Sequence, residues 1–137
     1  MKKKTAVITG GSRGIGAACA EQFSNAGYRV IIGYCRNRAR AEALAERLNT
    51  AGGSTEAVQL DVTNLGAVTA VFKRVETEYK GTDVLINCAG ISLWQLFTDS
   101  TEQQQRELME VNFGGVCRCI RAVAPEMVRR HSGVILN

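Results

Sequence analysis

The run Thr9-Gly10-Gly11-Ser12-Arg13-Gly14-Ile15-Gly16 lies between a short apolar segment, Ala6-Val7-Ile8, and a stretch of helical periodicity. Four glycines there leave few options. Glycine adopts backbone conformations barred to other residues and removes the Cβ that would prevent a close approach. A strand that turns through glycines straight into a helix aims the helix's unpaired N–H groups, and the positive end of its dipole, at whatever occupies the turn. The segment reads as a cradle for a nucleotide phosphate, with Gly10 making the reversal and Gly14 and Gly16 opening the helix.

The rest of the chain repeats the alternation. Ala6-Val7-Ile8, Val30-Ile31-Ile32, Val58-Gln59-Leu60, Val84-Leu85-Ile86 and Val134-Ile135-Leu136 are short apolar runs separated by helical patterns, which predicts βαβ units and a parallel sheet. The first helix is expected to bury Ile15, Ala18, Cys19, Phe23 and Ala26 and to stop at Gly27, and the second to bury Ala41, Leu44, Ala45 and Leu48 and end at Gly52-Gly53. A third, starting near Thr63 or Asn64, would bury Leu65, Val68, Phe72, Val75 and Tyr79 and close at Gly81. A loop over 87–100 follows, then a long helix carrying Phe113, Val116, Ile120, Val123 and Met127 on one face, kinked by Pro125. Right-handed crossovers give an α/β, doubly wound Rossmann-type sheet of strand order 3-2-1-4-5, truncated after strand 5, with the ligand crevice at the carboxyl ends of strands 1 and 4. Residues 1–137 form one dinucleotide-binding domain on this reading, lacking a C-terminal catalytic and substrate portion.

Composition narrows the function classes. No run approaches the roughly 20 apolar residues of a membrane span, and the Met1-Lys2-Lys3-Lys4 start leads directly into a strand, so a cytoplasmic protein without a membrane partner is expected. The 17 basic residues against 13 acidic ones are dispersed, with no stripe suited to nucleic acid. Cys19, Cys35, Cys88, Cys117 and Cys119 form no paired ligand spacing, so they read as reduced structural thiols with no metal site. The lone His131 beside Arg129 and Arg130 reads as an exposed residue near a helix end.

The spacing Gly-x-x-x-Gly-x-Gly, preceded by Thr9, resembles the fingerprint of the short-chain dehydrogenase/reductases. Three further motifs agree: Asp61 in Leu60-Asp61-Val62, Asn87-Cys88-Ala89-Gly90 after strand 4, where the family has Asn-Asn-Ala-Gly, and Val111-Asn112. Cys88 departs from the pattern. The resemblance implies cofactor contacts from Thr9, Gly10, Ser12, Arg13, Gly14, Ile15 and Gly16, from Asp61 and Val62 at the adenine, and from Asn87, Ala89 and Gly90. It also implies that Asn112 is a catalytic residue holding a water relay, although a core amide satisfied by backbone fits the same residue.

A protein that selects NAD presents an acidic residue at the end of strand 2, about 20 residues past the glycines. Here Tyr34 stands at that position, no carboxylate occurs between Glu21 and Glu42, and Arg13, Arg36 and Arg38 are available. Guanidinium groups pair bidentately with a 2′-phosphate, so the cofactor is expected to be NADP(H), with Tyr34 and Arg36 at its ribose end.

Family members protonate a carbonyl oxygen with a tyrosine supported by a lysine four residues later, a spacing that puts both on one helix face. Tyr28, Tyr34 and Tyr79 are followed at that spacing by Ile32, Arg38 and Asp83, so residues 1–137 alone are expected to show no reductase activity, and with Val134-Ile135-Leu136 as an exposed apolar edge they are expected to be poorly soluble or unstable. The resemblance implies reduction of a small-molecule or acyl-carrier-bound carbonyl, most like the 3-oxoacyl-[acyl-carrier-protein] reductases, in a full-length homotetramer or homodimer. Reduction of the 5-aminopentanone modification of elongation factor P also fits the Ile91-Ser92-Leu93-Trp94-Gln95-Leu96-Phe97 loop, where Trp94 and Phe97 would line a substrate mouth or anchor the loop. A non-catalytic NADP(H)-binding module is the reading of a different class.

Overall fold

The structure, a computed structural model, describes residues 2–137. Five strands, β1 (Thr5–Thr9), β2 (Arg29–Tyr34), β3 (Ser54–Gln59), β4 (Val84–Asn87) and β5 (Val134–Leu136), alternate with helices α1 (Gly14–Asn25), α2 (Arg38–Thr50), α3 (Leu65–Tyr79), α4 (Glu102–Met109) and α5 (Val116–Arg129). All pairings are parallel, in the order β3-β2-β1-β4-β5. This is the expected doubly wound Rossmann-type sheet.

Side chains alternate across a strand, so neighbouring residues of one run feed opposite cores. Ala6, Ile8, Val30 and Ile32 pack with Ala20 of α1 and Ala41, Leu44, Ala45 and Leu48 of α2. Val7, Ile31 and Leu85 pack on the other face with Val68, Phe72 and Val75 of α3 and Cys119, Val123 and Met127 of α5. Central β1 is buried along its whole length, as a strand covered on both faces must be.

Four expectations shift. Strand β3 begins at Ser54 and ends before Leu60, because backbone pairing with the full length of β2, from Arg29↔Ser54 to Tyr34↔Gln59, sets this edge strand. Leu60, buried just past it, still donates its N–H to the Tyr34 carbonyl at 2.7 Å. In α1, Ile15, Ala18 and Ala26 face solvent, and the buried stripe is Gly16, Ala20 and Ser24. The helix lies so close that size selects its contact face: a Cβ on Gly16 would strike the Gly10 carbonyl oxygen, and one on Gly53 the Ser24 hydroxyl. Leu65, in the first turn of α3, is 63% exposed, and Val71 joins the core instead. Finally, the long helix is broken by a π-helical turn, Glu110–Gly115, between α4 and α5. That turn's wider i→i+5 pitch rotates the face, leaving Phe113 exposed while Val123 and Met127 remain buried. Pro125 lies within α5, which continues to Arg129.

An ion-pair cluster closes the amino end of the sheet. Asp83 accepts the Thr5 N–H at 2.8 Å and an Arg130 guanidinium N–H at 3.0 Å, while Arg130 also donates to the Thr82 carbonyl at 2.7 Å. Asp83→Ala would leave the Thr5 N–H without its acceptor and Arg130 with Glu126 as its remaining carboxylate, and is expected to cost about 1–3 kcal/mol in urea-induced unfolding.

Burial also pushes the Cys119 thiol up from 9.0 to about 11, against the opposing pull of Arg118. A group whose folded pKa is raised stabilises the fold fully below its unfolded value and loses that contribution as pH climbs through the folded one. Unfolding free energy measured across alkaline pH is therefore expected to decline between pH 9.0 and about 11, and Cys119→Ala to decline less over that window.

Candidate functional site

The carboxyl ends of β1 and β4 are joined before any ligand is considered. Thr9, 1% exposed, accepts the Ala89 N–H on its hydroxyl at 3.0 Å, and its carbonyl accepts the Cys88 N–H at 3.2 Å. Gly10 follows with φ +60°, where a Cβ would lie 2.7 Å from the Ala89 Cα. Only glycine satisfies both the conformation and the contact. Gly11 then donates its N–H to the Gly33 carbonyl at 2.9 Å, tying the turn to β2.

Gly14, with φ +54°, has open space where its Cβ would be. The helix it opens carries no side-chain cap, since Arg13 at that position makes none. By contrast, Asn37 caps α2 at 3.0 Å, Asn64 caps α3 at 2.9 Å, and Thr101 and Gln104 form a capping box on α4. Among the described residues, α1 is thus the one α-helix that leaves a loop without a side-chain cap. Its first N–H groups and dipole are available to an anion.

The turn faces a cleft lined by Ser12, Arg13, Gly14, Arg40, Leu44 and Arg47. Arg47 is paired with Glu21, and Arg38 with Glu42 at 2.7 Å. Among the described residues Arg13 and Arg40 have no ion-pair partner, and both are exposed. Arg36 is expected at the ribose end of the cofactor. Arg36 is exposed but does not line this cleft, whereas Arg40, two helical residues inside α2, does. The signal was the i, i+2, i+4 spacing of Arg36, Arg38 and Arg40, and helix geometry selects among them. Tyr34 is 8% exposed in the core cluster with Ala41 and Leu44, occupying the end of β2 without a charge.

Further along the crevice, Asp61 accepts from the Thr63 N–H at 2.9 Å and the Thr63 hydroxyl at 2.7 Å, both on Oδ1. Val62 beside it is buried, and Gly115 of the π-helical turn packs against it so tightly that a Cβ there would overlap the valine side chain. Arg118, not foreseen from sequence, donates to the Val62 carbonyl at 3.3 Å and pairs with Glu110, bridging the π-helical turn to this loop. Asn87 donates its amide to Asn137 at 2.8 Å. Asn112 is exposed rather than in the core. Its side-chain oxygen accepts the Ile91 N–H at 2.8 Å and its NH₂ donates to the Ile91 carbonyl at 2.8 Å, which pins the chain just after Gly90.

Glycine turn, uncapped helix and a crevice where strand order reverses are the arrangement of the doubly wound α/β proteins, whose ligands bind at this edge of the sheet. Residues 4–137 match the short chain dehydrogenase family, and the chain belongs to it. The 3-oxoacyl-[acyl-carrier-protein] reductase FabG of Staphylococcus aureus strain Mu50 is 37% identical over 134 residues, covering 98% of this chain and 54% of that protein. The short-chain reductase protein NovJ of Streptomyces niveus is 37% identical over 136 residues, covering 99% and 52%. The chain thus spans about half the length of the curated relatives it matches. Among solved structures, gox2181 superimposes with a TM-score of 0.92 at 32% identity, covering 98% of this chain and 52% of that one. A metagenomic short-chain oxidoreductase in complex with NADP gives 0.91 at 31% identity, covering 96% and 60%.

Asn112→Ala removes both bonds to Ile91. Amide hydrogen exchange over 91–97 is expected to accelerate at least tenfold, while global stability changes by about 1 kcal/mol or less, because Asn112 is exposed.

Proposed function

We propose that this chain is the cofactor-holding part of an NADP(H)-dependent carbonyl reductase. The observation that carries the reading is the pairing of an uncharged β2 terminus with two unpartnered guanidinium groups, Arg13 and Arg40, in the cleft at the open side of Gly14. The nearest carboxylates in sequence, Glu21 and Glu42, are each engaged by another arginine, so nothing there repels a 2′-phosphate. The fit is also steric, since the Gly10–Ala89 contact and the vacant flank of Gly14 leave backbone N–H groups accessible to a pyrophosphate.

When bound, the nicotinamide supplies hydride chemistry. The residues of this chain bind and orient: Gly10, Gly14, Ile15 and Gly16 shape the phosphate cradle with Ser12, Arg13 and Arg40 at its rim. Thr9 acts through Ala89. Asp61 and Val62 would hold the adenine end of the cofactor, and Asn87, Ala89 and Gly90 its nicotinamide end. Asn112 holds the crevice loop at Ile91. None of Tyr28, Tyr34 and Tyr79 has a lysine four residues on, so residues 1–137 by themselves bind cofactor without reducing a carbonyl.

The 37% identity to FabG supports a 3-oxoacyl thioester as substrate of the whole protein, in the cytoplasm. Among the described residues no helix is long and apolar enough to cross a membrane. Met109 and Phe113, 60% and 62% exposed on consecutive helical turns, support a subunit contact in a homodimer or homotetramer.

Titration calorimetry tests the cofactor reading. NADPH is expected to bind at least tenfold more tightly than NADH, and the double change Arg13→Ala, Arg40→Ala to abolish that preference, since each charge-assisted contact contributes about 1.5–3 kcal/mol. Equal affinity for the two dinucleotides in the unsubstituted chain would sink the NADP(H) assignment.

A further inference from the structure

We infer that Cys19 and Cys88 form a redox-responsive dithiol that closes to an intrachain disulfide, tying α1 to the carboxyl end of β4 at the glycine turn. Cys19 lies five residues into the helix that the turn opens, and Cys88 directly follows β4. Both are half-buried free thiols, and both pack against the same cluster, which includes Ala6, Ile8, Ala20 and Ile86. The pairing is set by the fold: α1 covers the face of β1 to which Ile8 points, and the β1–β4 register, Thr9↔Asn87, brings the residue after Asn87 beneath it.

Both side chains lie on the α1-covered face of the sheet, Cys88 pointing to the same side as Ile86 two residues before it. Burial first, and then the neighbouring Cys19, pushes the Cys88 thiol above its ordinary pKa. Such a thiol is a slow nucleophile towards solvent reagents, which leaves the first attack to Cys19. The remaining cysteines lack this arrangement. Cys35 is exposed after β2, Cys119 is fully buried, and Cys117 is half-buried on α5.

The oxidant is a small-molecule disulfide such as oxidised glutathione. One protein thiolate attacks a glutathione sulfur, breaking its S–S bond and releasing one glutathione thiolate. The second protein thiolate then attacks the protein sulfur of the mixed disulfide, forming the Cys19–Cys88 bond and releasing the second glutathione. Two protein thiols are oxidised, one small disulfide is reduced, and the two protons end on the two glutathione thiols. The bond would join the helix carrying the phosphate cradle to the segment against which Gly10 packs. Any effect on dinucleotide affinity rests on the proposed function, whereas the bond itself does not.

The test is a peptide map of the unsubstituted chain after incubation with oxidised glutathione and alkylation of remaining thiols. The expected result is a Cys19–Cys88 cross-linked peptide pair, lost on treatment with dithiothreitol, while exposed Cys35 carries glutathione as a mixed disulfide. In Cys88→Ala, Cys19 should instead retain glutathione. Alkylated Cys19 and Cys88 alongside glutathionylated Cys35 would overturn the inference, as would stable mixed disulfides at both positions. Titration with NADPH before and after oxidation is a separate readout: absence of cofactor binding in both states counts against the cofactor reading and leaves the cross-link to be judged by the map.

Discussion

The crevice depends on a close approach between two backbones. At Gly10 the chain turns with positive φ against Ala89, with room for a hydrogen atom and nothing larger. Thr9 secures the same junction through its hydroxyl. Because β1 is the buried centre of the sheet and β4 its neighbour across the reversal of strand order, this junction fixes where the crevice opens. The uncapped start of α1, the Arg13 and Arg40 guanidinium groups, and the Asn112 clamp on Ile91 all take their positions from it.

The contrast between the two kinds of helix start is instructive. Asn37, Asn64 and Thr101 each give a side-chain oxygen to the first turn of a helix. These satisfy donors that would otherwise need water. At α1 the sequence places arginine instead, a residue with no acceptor to offer. Among the four α-helices that leave a loop in the described residues, α1 alone forgoes this local stability, and its start is where a ligand's phosphates would satisfy the same donors.

The glycine turn and the alternation of strands and helices were legible because each rests on a local rule: glycine where a Cβ cannot go, and short apolar runs where both faces of a sheet are covered. Strand order followed from handedness. The buried set of α2, Ala41, Leu44, Ala45 and Leu48, was readable for the same reason, being the only apolar stripe on a polar helix. The misreadings have a common origin in nonlocal packing. The α1 face was chosen by size against β1, so Gly16, Ala20 and Ser24 displaced the larger Ile15. The extent of β3 came from pairing with β2, and Phe113 was turned outward by a π-helical turn with no motif in the sequence. At the site, residue type points to arginines for a phosphate, and the start of α2 adds Arg40 to them as a residue lining the cleft.

The Asp83–Arg130 cluster stands at the opposite rim of the sheet from the crevice, joining the beginnings of β1 and β4 to the last turn of α5. Its location separates two mechanical duties. The strands are clamped from behind, so a change in a loop at the carboxyl rim leaves their register, and with it both cores, in place.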